Sequence, residues 1–496
     1  MSAFESILGE HPAVPGHHPW PRHVVDRAAW IRAADELGNG TCVLVGYWGE
    51  SDRVYLALAE PSYASGCVLT LRCPQGEFPS IAFTYPPAAR LERTIRDLWR
   101  LNPHDAADRR PWLDHGRWPG SAEEAKSDYA FLPVEGEGLH RIPVGPVHAG
   151  IIEPGHFRFT ASGETVVRLE ARLGYVHKGI ESLMAGSSLA KAAQLAGRVS
   201  GDSTVAYAIA FARAVEAATG TRVPARAIWL RALMAELERI ANHLADIGAI
   251  CNDAAFAVML AHCGVLRERV LRTAAACFGH RLMMDRVLPG GTGVDLTDAG
   301  TAMIEVLIRD IRRRFPELTE LYDNTASLQD RTVGTGRLRP ELAQRFGAGG
   351  VIGRASGRAI DVRQRPGYPP YTDLSFEVPV REDGDVNARV WVRIREVEQS
   401  LALLSLLLKR LPPGPIATEV AAPAGAVEGL ALVEGFRGDV FVWLRLGDDG
   451  HIERCHLRDP SWFQWPLLEA VIEGNIVADF PLCNKSFNCS YSGHDL

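Results

Sequence analysis

The 496-residue sequence lacks any C-x-x-C pair, although it contains nine cysteines. Those cysteines are odd in number and scattered, at positions 42, 67, 73, 251, 263, 277, 455, 483 and 489. Such a set argues against a disulfide framework and indicates buried thiols in a reducing compartment. Cys483, Cys489 and His494 have a spacing that matches no structural zinc pattern, so we favour ordinary thiols over a metal site there.

Long basic runs and long apolar runs are also missing. The net charge is −7 and no basic stretch could follow a phosphate backbone, so nucleic acid is not an expected partner. The longest apolar stretch, residues 401–408, is far shorter than the roughly 20 residues of a membrane-spanning helix. Residues 1–22 lack the basic start and apolar run of a secretory signal, so none is expected. The sequence has no G-x-G-x-x-G turn in a βαβ context, so a nicotinamide site is not expected.

What is present divides the chain into two sections. Residues 1–119 combine short alternating strands with one clear helix, which predicts a small α+β domain. Residues 120–140 are rich in small and acidic residues and form the predicted linker. Residues 141–496 have long helical periodicity interrupted by strand-like text, so the predicted fold class is α+β, with a large helical bundle and β excursions.

Hydrophobic periodicity and helix breakers predict the individual elements. Strands are expected at 41–47 and 53–58, and a β-rich stretch at 155–173 has a turn at Ser162 and Gly163. Helices are expected at 91–101, 224–251, 256–278, 299–315 and 393–411. Pro316 and Pro412 are expected to end the last two helices.

Several motifs, in order along the chain, carry a family resemblance. They are residues 145–148 (GPVH), 153–158 (EPGHFR), 172–181 (RLGYVHKGIE), 236–244 (ELERIANHL), 331–338 (RTVGTGRL) and 354–357 (RASG). Together they resemble the large subunit of membrane-bound group 4 nickel-iron hydrogenases of the formate hydrogenlyase type. They are also similar to the related 49-kDa quinone-site subunit of respiratory complex I. Residues 92–98 and 108–110 make the first section similar to the 30-kDa complex I subunit, which is fused to this one in formate hydrogenlyase.

The resemblance implies a nickel site at two segments, residues 198–203 (RVSGDS) and 490–496 (SYSGHDL). In the hydrogenases each segment would carry two cysteine ligands, and the corresponding positions here are Ser200, Ser203, Ser490 and Gly493. A serine hydroxyl is not the thiolate that a soft metal centre needs, and glycine has no side chain. We therefore expect that this chain binds no metal and no cofactor of its own.

The candidate catalytic residues are Glu181, Asp202, His148 and His156. By resemblance, Glu181 corresponds to a glutamate that transfers protons in the hydrogenases, a role that fits a carboxyl group with a raised pKa. The alternative is a helix-capping glutamate or one ion-paired with Lys178 or Arg172. Both interpretations stay open on the sequence.

The similarity to complex I also predicts residues near a partner's cluster and the positions of a quinone site. The residues expected near a partner's iron–sulfur cluster or a cavity are His177, Lys178 and Arg198. Complex I reduces quinone with a histidine and a tyrosine, and the resemblance puts these positions at Ile152 or Pro154 and at Gly201. Both proton donors are therefore missing, and quinone chemistry would depend on Asp202, Tyr207 or the two candidate histidines.

Two further predictions concern structural contacts and not catalysis. Arg354 and Asp361 predict a buried salt bridge. His243, one turn from Arg239, predicts a contact between helices and not a metal ligand.

The resemblance implies one function and leaves two alternatives. The first is the large subunit of a membrane-associated redox complex that acts in electron transfer or proton coupling. It predicts a protected cavity between the Ser200 loop and the last segment, open to Glu181. The alternatives are a quinone-reducing subunit, and a structural module in which apolar side chains of residues 480–491 fill the old site.

The expected partners follow from the same resemblance. They are an iron–sulfur small subunit with a [4Fe-4S] cluster, a ferredoxin-like subunit and antiporter-like membrane subunits. Quinone is the alternative small ligand. The expected location is cytoplasmic, peripheral on the inner face of the cell membrane.

Overall fold

The computed structural model describes residues 3–121, 125, 128–150 and 152–496. The predicted linker falls in part on residues 122–124, 126 and 127, which lie outside the described residues. The fold is α+β, as predicted. The domain boundaries at residues 119 and 141 stay predictions.

The first section begins with short strands and three helices. The helices are α1 Ala3–Leu8, α2 Arg27–Gly38 and α3 Ala89–Trp99. The strands are β1 Ala13–Val14, β2 His17–His18, β3 Arg22–Val25, β4 Val43–Glu50, β5 Arg53–Ala59, β6 Gly66–Arg72, β7 Glu77–Pro79 and β8 Asn102–His104. The predicted strands at 41–47 and 53–58 are β4 and β5, and the predicted helix at 91–101 is α3.

The main sheet of this section has five strands in the order β1-β3-β6-β5-β4. The β3–β6 pair is parallel and the other pairs are antiparallel. Every residue of β4 is buried, because the strand packs against α3 and also against strands from the end of the chain. The Trp48 ring lies 5.8 Å from the Phe441 ring and 5.2 Å from the Trp443 ring, measured between centroids.

An antiparallel three-stranded sheet opens the second section. Its strands are β9 Leu139–Val144, β10 His156–Ser162 and β11 Thr165–Arg172, in the order β11-β10-β9. Ser162 pairs with Thr165, and Gly163 has a φ of +58°, so the predicted turn is confirmed. This sheet leads directly into the motif that ends at Glu181.

Ten α-helices follow in the described part of the chain between residues 180 and 410. They are α4 Ile180–Met184, α5 Leu189–Ala196, α6 Thr204–Thr219, α7 Ala225–Asp253, α8 Ala257–Phe278, α9 Asp298–Asn324, α10 Ala326–Thr332, α11 Pro340–Arg345, α12 Gly350–Arg354 and α13 Val386–Arg410. A short hairpin, β12 Val287–Leu288 and β13 Gly291–Thr292, lies between α8 and α9. The helices predicted at 224–251 and 256–278 are α7 and α8.

Two predicted helix boundaries are wrong. The helix predicted to stop at Pro316 continues to Asn324 as α9. Proline removes one backbone donor, but Phe315, Leu318 and Tyr322 are buried in the core and hold the next turns in place. The helix predicted at 393–411 begins earlier, at Val386, because the Asp385 Oδ1 atom accepts a hydrogen bond from Ala388 N at 2.7 Å and caps it.

The last part of the chain forms a sheet that includes one strand of the first section. Strands β14 Val427–Gly435, β15 Gly438–Leu446 and β16 Ile452–Arg458 form an antiparallel meander, and β2 joins it as a parallel edge strand on β14. Three helices follow: α14 Ser461–Val471, α15 Phe480–Phe487 and α16 Tyr491–Asp495. Buried apolar side chains from both sections form one connected core. Of the helices in the described residues, none combines the length and hydropathy of a membrane crossing.

Candidate functional site

The structure brings together the positions that the resemblance assigns to nickel ligands. Ser200 precedes and Ser203 ends a 3₁₀ turn just before α6, and Ser490 caps the N-terminus of α16. The Ser200 Oγ and Ser490 Oγ atoms lie 3.1 Å apart, although the residues are 290 positions apart in sequence. All three serines are buried, with 3–4% of their surface exposed. Two distant segments therefore meet in one small polar site.

An ion pair occupies the middle of this site. Arg437, at the turn between β14 and β15, donates to both carboxylate oxygens of Asp202 at 2.8 and 2.5 Å. The same guanidinium donates to Ser203 Oγ at 3.1 Å, and Ser200 donates to Asp202 Oδ1 at 2.7 Å. Burial alone would raise the pKa of Asp202, but the charge of Arg437 outweighs it and lowers the pKa to about 2. We call Ser200, Ser203, Ser490, Asp202 and Arg437 the serine cluster.

A second carboxylate, that of Asp459, lies beside Gly493, the fourth position that the resemblance assigns to a nickel ligand. Its Oδ2 atom accepts a hydrogen bond from the Tyr207 hydroxyl at 2.7 Å, and its Oδ1 atom accepts one from Ser461 N at 2.9 Å. A β-carbon added to Gly493 would lie 2.8 Å from Asp459 Cγ, still closer to Oδ2, and 2.9 Å from Ser490 Oγ. The glycine is thus required by the packing around it. No cysteine fits there without rearrangement.

These residues do not suit a nickel-iron centre. Three hydroxyls stand where thiolates would be needed, and a hydroxyl keeps its proton at neutral pH. Ser203 Oγ already accepts a hydrogen bond from the Arg437 guanidinium at 3.1 Å, so a metal cation would have to displace that contact. In the described residues, no group of three or more His, Cys, Asp or Glu side chains is arranged to hold a metal ion.

The residues considered for an alternative metal site, Cys483, Cys489 and His494, are engaged in other contacts or buried. His494 donates from Nδ1 to Asp495 Oδ1 at 2.8 Å and accepts at Nε2 from Trp112 Nε1 at 3.3 Å. Both thiols are buried, and burial raises the pKa of Cys483 to about 12. The structure therefore favours ordinary buried cysteines over metal ligands.

Glu181 lies in a different environment from the one that a proton relay needs. Its Oε2 atom accepts from Arg454 Nη1 at 2.7 Å, and its Oε1 atom accepts from His456 Nδ1 at 2.8 Å and from Leu457 N at 3.0 Å. Burial would raise the pKa of Glu181, but Arg454 and His456 lower it to about 2. The expectation of a raised pKa is wrong. Glu181 is ion-paired, but with Arg454 and His456 on β16 and not with Lys178 or Arg172.

Lys178 and Arg172, the partners expected for Glu181, make other contacts. The Lys178 ammonium donates to the carbonyl oxygens of Val199 and Ser492, at 3.5 and 3.3 Å. Arg172 is buried and donates to backbone carbonyls between residues 111 and 114. Lys178 therefore bridges the two segments that carry the serine cluster.

The remaining candidates are spread around the cluster. His148 donates to Gly155 O at 2.8 Å and His156 to Gly145 O at 3.3 Å, so both serve the hairpin of β9 and β10. His177 donates to Asp495 O at 2.7 Å. Arg198 forms an exposed ion pair with Asp285, with Nη2 and Oδ2 2.7 Å apart. The structure does not bring these four residues to one point.

Three residues of the site were not identified from the sequence. Arg437 and Asp459 belong to the β14–β16 meander, where no family motif draws attention to them. Glu153 precedes β10, and its Oε2 atom accepts from Ser492 N at 3.1 Å, so it contacts the segment that carries Ser490. Glu153 is the first residue of the family motif EPGHFR, so that motif could have identified it as a site residue.

The salt bridge predicted between Arg354 and Asp361 is present. Arg354 Nη1 lies 3.7 Å from Asp361 Oδ2, and closer pairs join Arg354 to Glu396 and Glu434. His243 shares Glu396 as a partner, with Nε2 2.7 Å from Oε2, and so links α7 to α13 as predicted.

We expect the Glu181→Gln variant to lose about 2 kcal/mol of unfolding free energy at pH 7, because an amide cannot replace the charged acceptor of Arg454 and His456. The folded pKa of Glu181, about 2, lies below the usual value of 4.5. The stabilisation by Glu181 is therefore present above pH of about 5 and is lost as the pH falls toward 2. Urea unfolding at pH 7 and pH 4 should show a smaller difference between the two proteins at pH 4.

The matched control is Glu453→Gln. Glu453 also forms an ion pair, at 2.8 Å with Arg445, but its side chain is 47% exposed. Solvent screening should limit its effect to less than about 1 kcal/mol. Equal losses in the two variants, or a Glu181 effect that does not change with pH, would contradict the assignment.

Comparison with known proteins gives a consistent picture. Residues 253–428 match the family of the respiratory-chain NADH dehydrogenase 49 Kd subunit, and residues 178–246 match the nickel-dependent hydrogenase family. The chain is 32% identical to formate hydrogenlyase subunit 5 of Escherichia coli over 92% of its own length and 84% of that protein. It is 31% identical to an NADH-quinone oxidoreductase subunit of Syntrophobacter fumaroxidans, covering 70% of this chain and 94% of that protein.

A solved structure supports the same relationship. It is that of the membrane-bound sulfane sulfur reductase, an archaeal respiratory membrane complex. The match has a TM-score of 0.68 at 26% identity and covers 74% of this chain and all of the other. The membrane-bound hydrogenase subunit alpha of Pyrococcus furiosus is 30% identical, over 70% of this chain and 85% of that protein.

Proposed function

Because the chain belongs to the family of nickel-iron hydrogenase large subunits and complex I 49-kDa subunits, we propose that it is the large subunit of a membrane-associated redox complex that operates without a nickel-iron centre. Its role in that complex is electron transfer or proton coupling. The observation that supports the proposal is the serine cluster, in which Ser200, Ser203 and Ser490, at positions that the resemblance assigns to metal ligands, surround an ion pair of Asp202 and Arg437.

The proposed partners follow the family. An iron–sulfur small subunit with a [4Fe-4S] cluster would dock next to His177 and Lys178, and a ferredoxin-like subunit and antiporter-like subunits would complete the assembly at the inner face of the membrane. Two apolar side chains near this motif support a docking face there, since Tyr175 and Leu183 are 38% and 56% exposed. The redox cofactor would belong to the small subunit.

Reduction of quinone at the serine cluster has less support. A quinone needs proton donors within hydrogen-bond reach. The carboxyl group of Asp202 is held ionised by Arg437, and the Tyr207 hydroxyl is bound to Asp459 with its pKa raised well above 10 by burial. Neither group is poised to release a proton near neutral pH.

The test is the nickel and iron content of this chain purified together with its iron–sulfur partner. We expect iron in the amount that the partner's cluster accounts for, no stoichiometric nickel, and no hydrogen-dependent reduction of a viologen dye. A hydrogenase that keeps all four cysteines, produced in the same host, controls for nickel supply. Stoichiometric nickel in this chain would contradict the proposal, and so would its purification as a free monomer with no iron–sulfur partner.

A further inference from the structure

A cavity of about 180 Å³ lies between α6 and α7 on one side and residues 368–371 on the other. At roughly 30 Å³ for each molecule of liquid water, it has room for about six waters or for one small metabolite. Most of its walls are apolar or aromatic, and they include Ile209, Val223, Ile228, Pro369, Tyr368 and Tyr371. Among the described residues, no member of the serine cluster lines it, so this cavity is separate from the site discussed above.

Arg213, a half-buried residue of α6, lines this cavity without a charged partner. Its guanidinium lies over the Tyr368 ring, 4.7 Å from the centroid, and makes no hydrogen bond or ion pair among the described residues. The Nε atom is buried and unpartnered, while the two terminal amino groups keep accessible surface. Withdrawing a guanidinium from water without a counter-charge is costly, so the arrangement indicates an anionic ligand.

The other two charges on the described walls cancel each other. Arg231 donates to both carboxylate oxygens of Glu216, at 3.0 and 2.5 Å. Glu216 also accepts from Gly290 N at 2.9 Å, so its carboxylate is fully engaged. Burial lowers the pKa of Arg213, but a guanidinium stays protonated near neutral pH. The cavity is therefore left with one uncompensated positive charge.

Two hydroxyl groups on the walls are already engaged as donors. Tyr371 donates to Glu236 Oε1 at 2.6 Å. Thr219 donates to Val215 O at 2.9 Å, so in the 2.7 Å contact between the Thr219 and Thr221 hydroxyls the donor is Thr221. A phosphate or sulfate would find one cation and few further donors for its four oxygens. The two oxygens of a carboxylate match the fork of a single guanidinium.

We propose that this cavity binds a small monocarboxylate with a compact apolar body, whose carboxylate pairs with the Arg213 guanidinium. The unpaired cation requires a negative charge, and the apolar walls favour a ligand with an apolar body over a bare oxyanion. The volume limits that body to a few carbon atoms or one ring. The proposal does not depend on the function proposed for the chain.

The probe is benzoate, and benzamide is the matched probe with nearly the same shape and no charge. Saturation-transfer NMR with the full chain detects binding at millimolar ligand, and a titration followed by the same signal gives the dissociation constant. Benzamide should bind at least about tenfold more weakly, because it lacks the charge that pairs with Arg213. Inorganic phosphate, as the competing anion without an apolar body, should displace benzoate poorly.

Arg213→Met should weaken benzoate binding at least about tenfold. The substitution removes a charge that has no partner in the chain, so the variant should unfold at the wild-type temperature or above it. Arg222→Met is the control. Arg222 is exposed and lies between the lining residues Thr221 and Val223, but it is not among the described residues that line the cavity. It removes the same charge nearby, and solvent screening should keep its effect below about twofold.

Each outcome decides the proposal. Benzoate binding that is lost in Arg213→Met and kept in Arg222→Met supports it. Equal affinity for benzoate and benzamide would overturn it, as would no saturation transfer to benzoate in the wild-type chain. Phosphate that binds as tightly as benzoate would show a site for any small anion and refute the monocarboxylate class. If Arg213→Met does not fold, Val223→Trp, which narrows the cavity from the loop between α6 and α7, takes its place. Unchanged benzoate binding in a folded variant of either residue would also refute the assignment.

Discussion

Replacing Arg354 with methionine is expected to lower the free energy of unfolding by about 3–5 kcal/mol. Arg354 is fully buried, and its guanidinium donates to Glu396 Oε1 at 2.8 Å and to Glu434 Oε1 at 2.8 Å. Methionine keeps much of the side-chain volume but leaves two buried carboxylates without this cation. Equilibrium urea unfolding followed by tryptophan fluorescence measures the loss.

The control for this variant is Arg337→Met. Arg337 is exposed and belongs to the same region of the chain. A surface substitution of this kind should change the unfolding free energy by less than about 0.5 kcal/mol. If the two variants unfold at the same urea concentration, the buried charge network contributes far less to stability than its geometry indicates.

Returning cysteine to position 493 is expected to destabilise the protein by about 3 kcal/mol, the upper part of the range for overpacked cores. The reason is the space already taken by Asp459 and Ser490, since a β-carbon would lie 2.8 Å from Asp459 Cγ. Asp459 cannot easily move, because Tyr207 and the Ser461 amide hold both of its oxygens. The same variant, combined with Ser200→Cys, Ser203→Cys and Ser490→Cys, should acquire no nickel.

Gly201→Cys is the matched control for the single variant. Gly201 lies in the 3₁₀ turn of the serine cluster, and a β-carbon there would meet no atom within 4 Å. Its effect on the urea midpoint should be small. Stoichiometric nickel in the four-cysteine protein, measured by elemental analysis, would show that the scaffold still accepts the centre and that only the ligands are missing.

The sequence predicted the long helices α7 and α8 well because their apolar residues repeat over many turns. It failed at Pro316, where a local rule was overridden by the burial of Phe315, Leu318 and Tyr322. It predicted which four positions would meet, because two separate motifs specify them. It missed Arg437 and Asp459, because a residue that acts only through a long-range contact leaves no local pattern.

The prediction for Glu181 shows the same limit. The motif identified an acidic residue, but a motif does not reveal which charges lie opposite it. Arg454 and His456 come from a strand more than two hundred residues further along the chain, and they decide the protonation state. One of the two alternative functions had apolar side chains of residues 480–491 filling the old site. Instead, Phe480 packs on Phe157 and Phe159, and the polar pair of Asp202 and Arg437 occupies the site.

The pairing of β2 with β14 has a consequence for how the chain folds during synthesis. The Arg22 guanidinium, at the start of the next strand β3, binds the Glu428 carboxylate at 2.6 Å, and the two residues are 406 positions apart. Strand β2, one of the first to leave the ribosome, therefore waits for its neighbour β14 until most of the chain has been made. Long-range pairing of this kind slows folding and leaves an unpaired strand edge open to aggregation in the meantime.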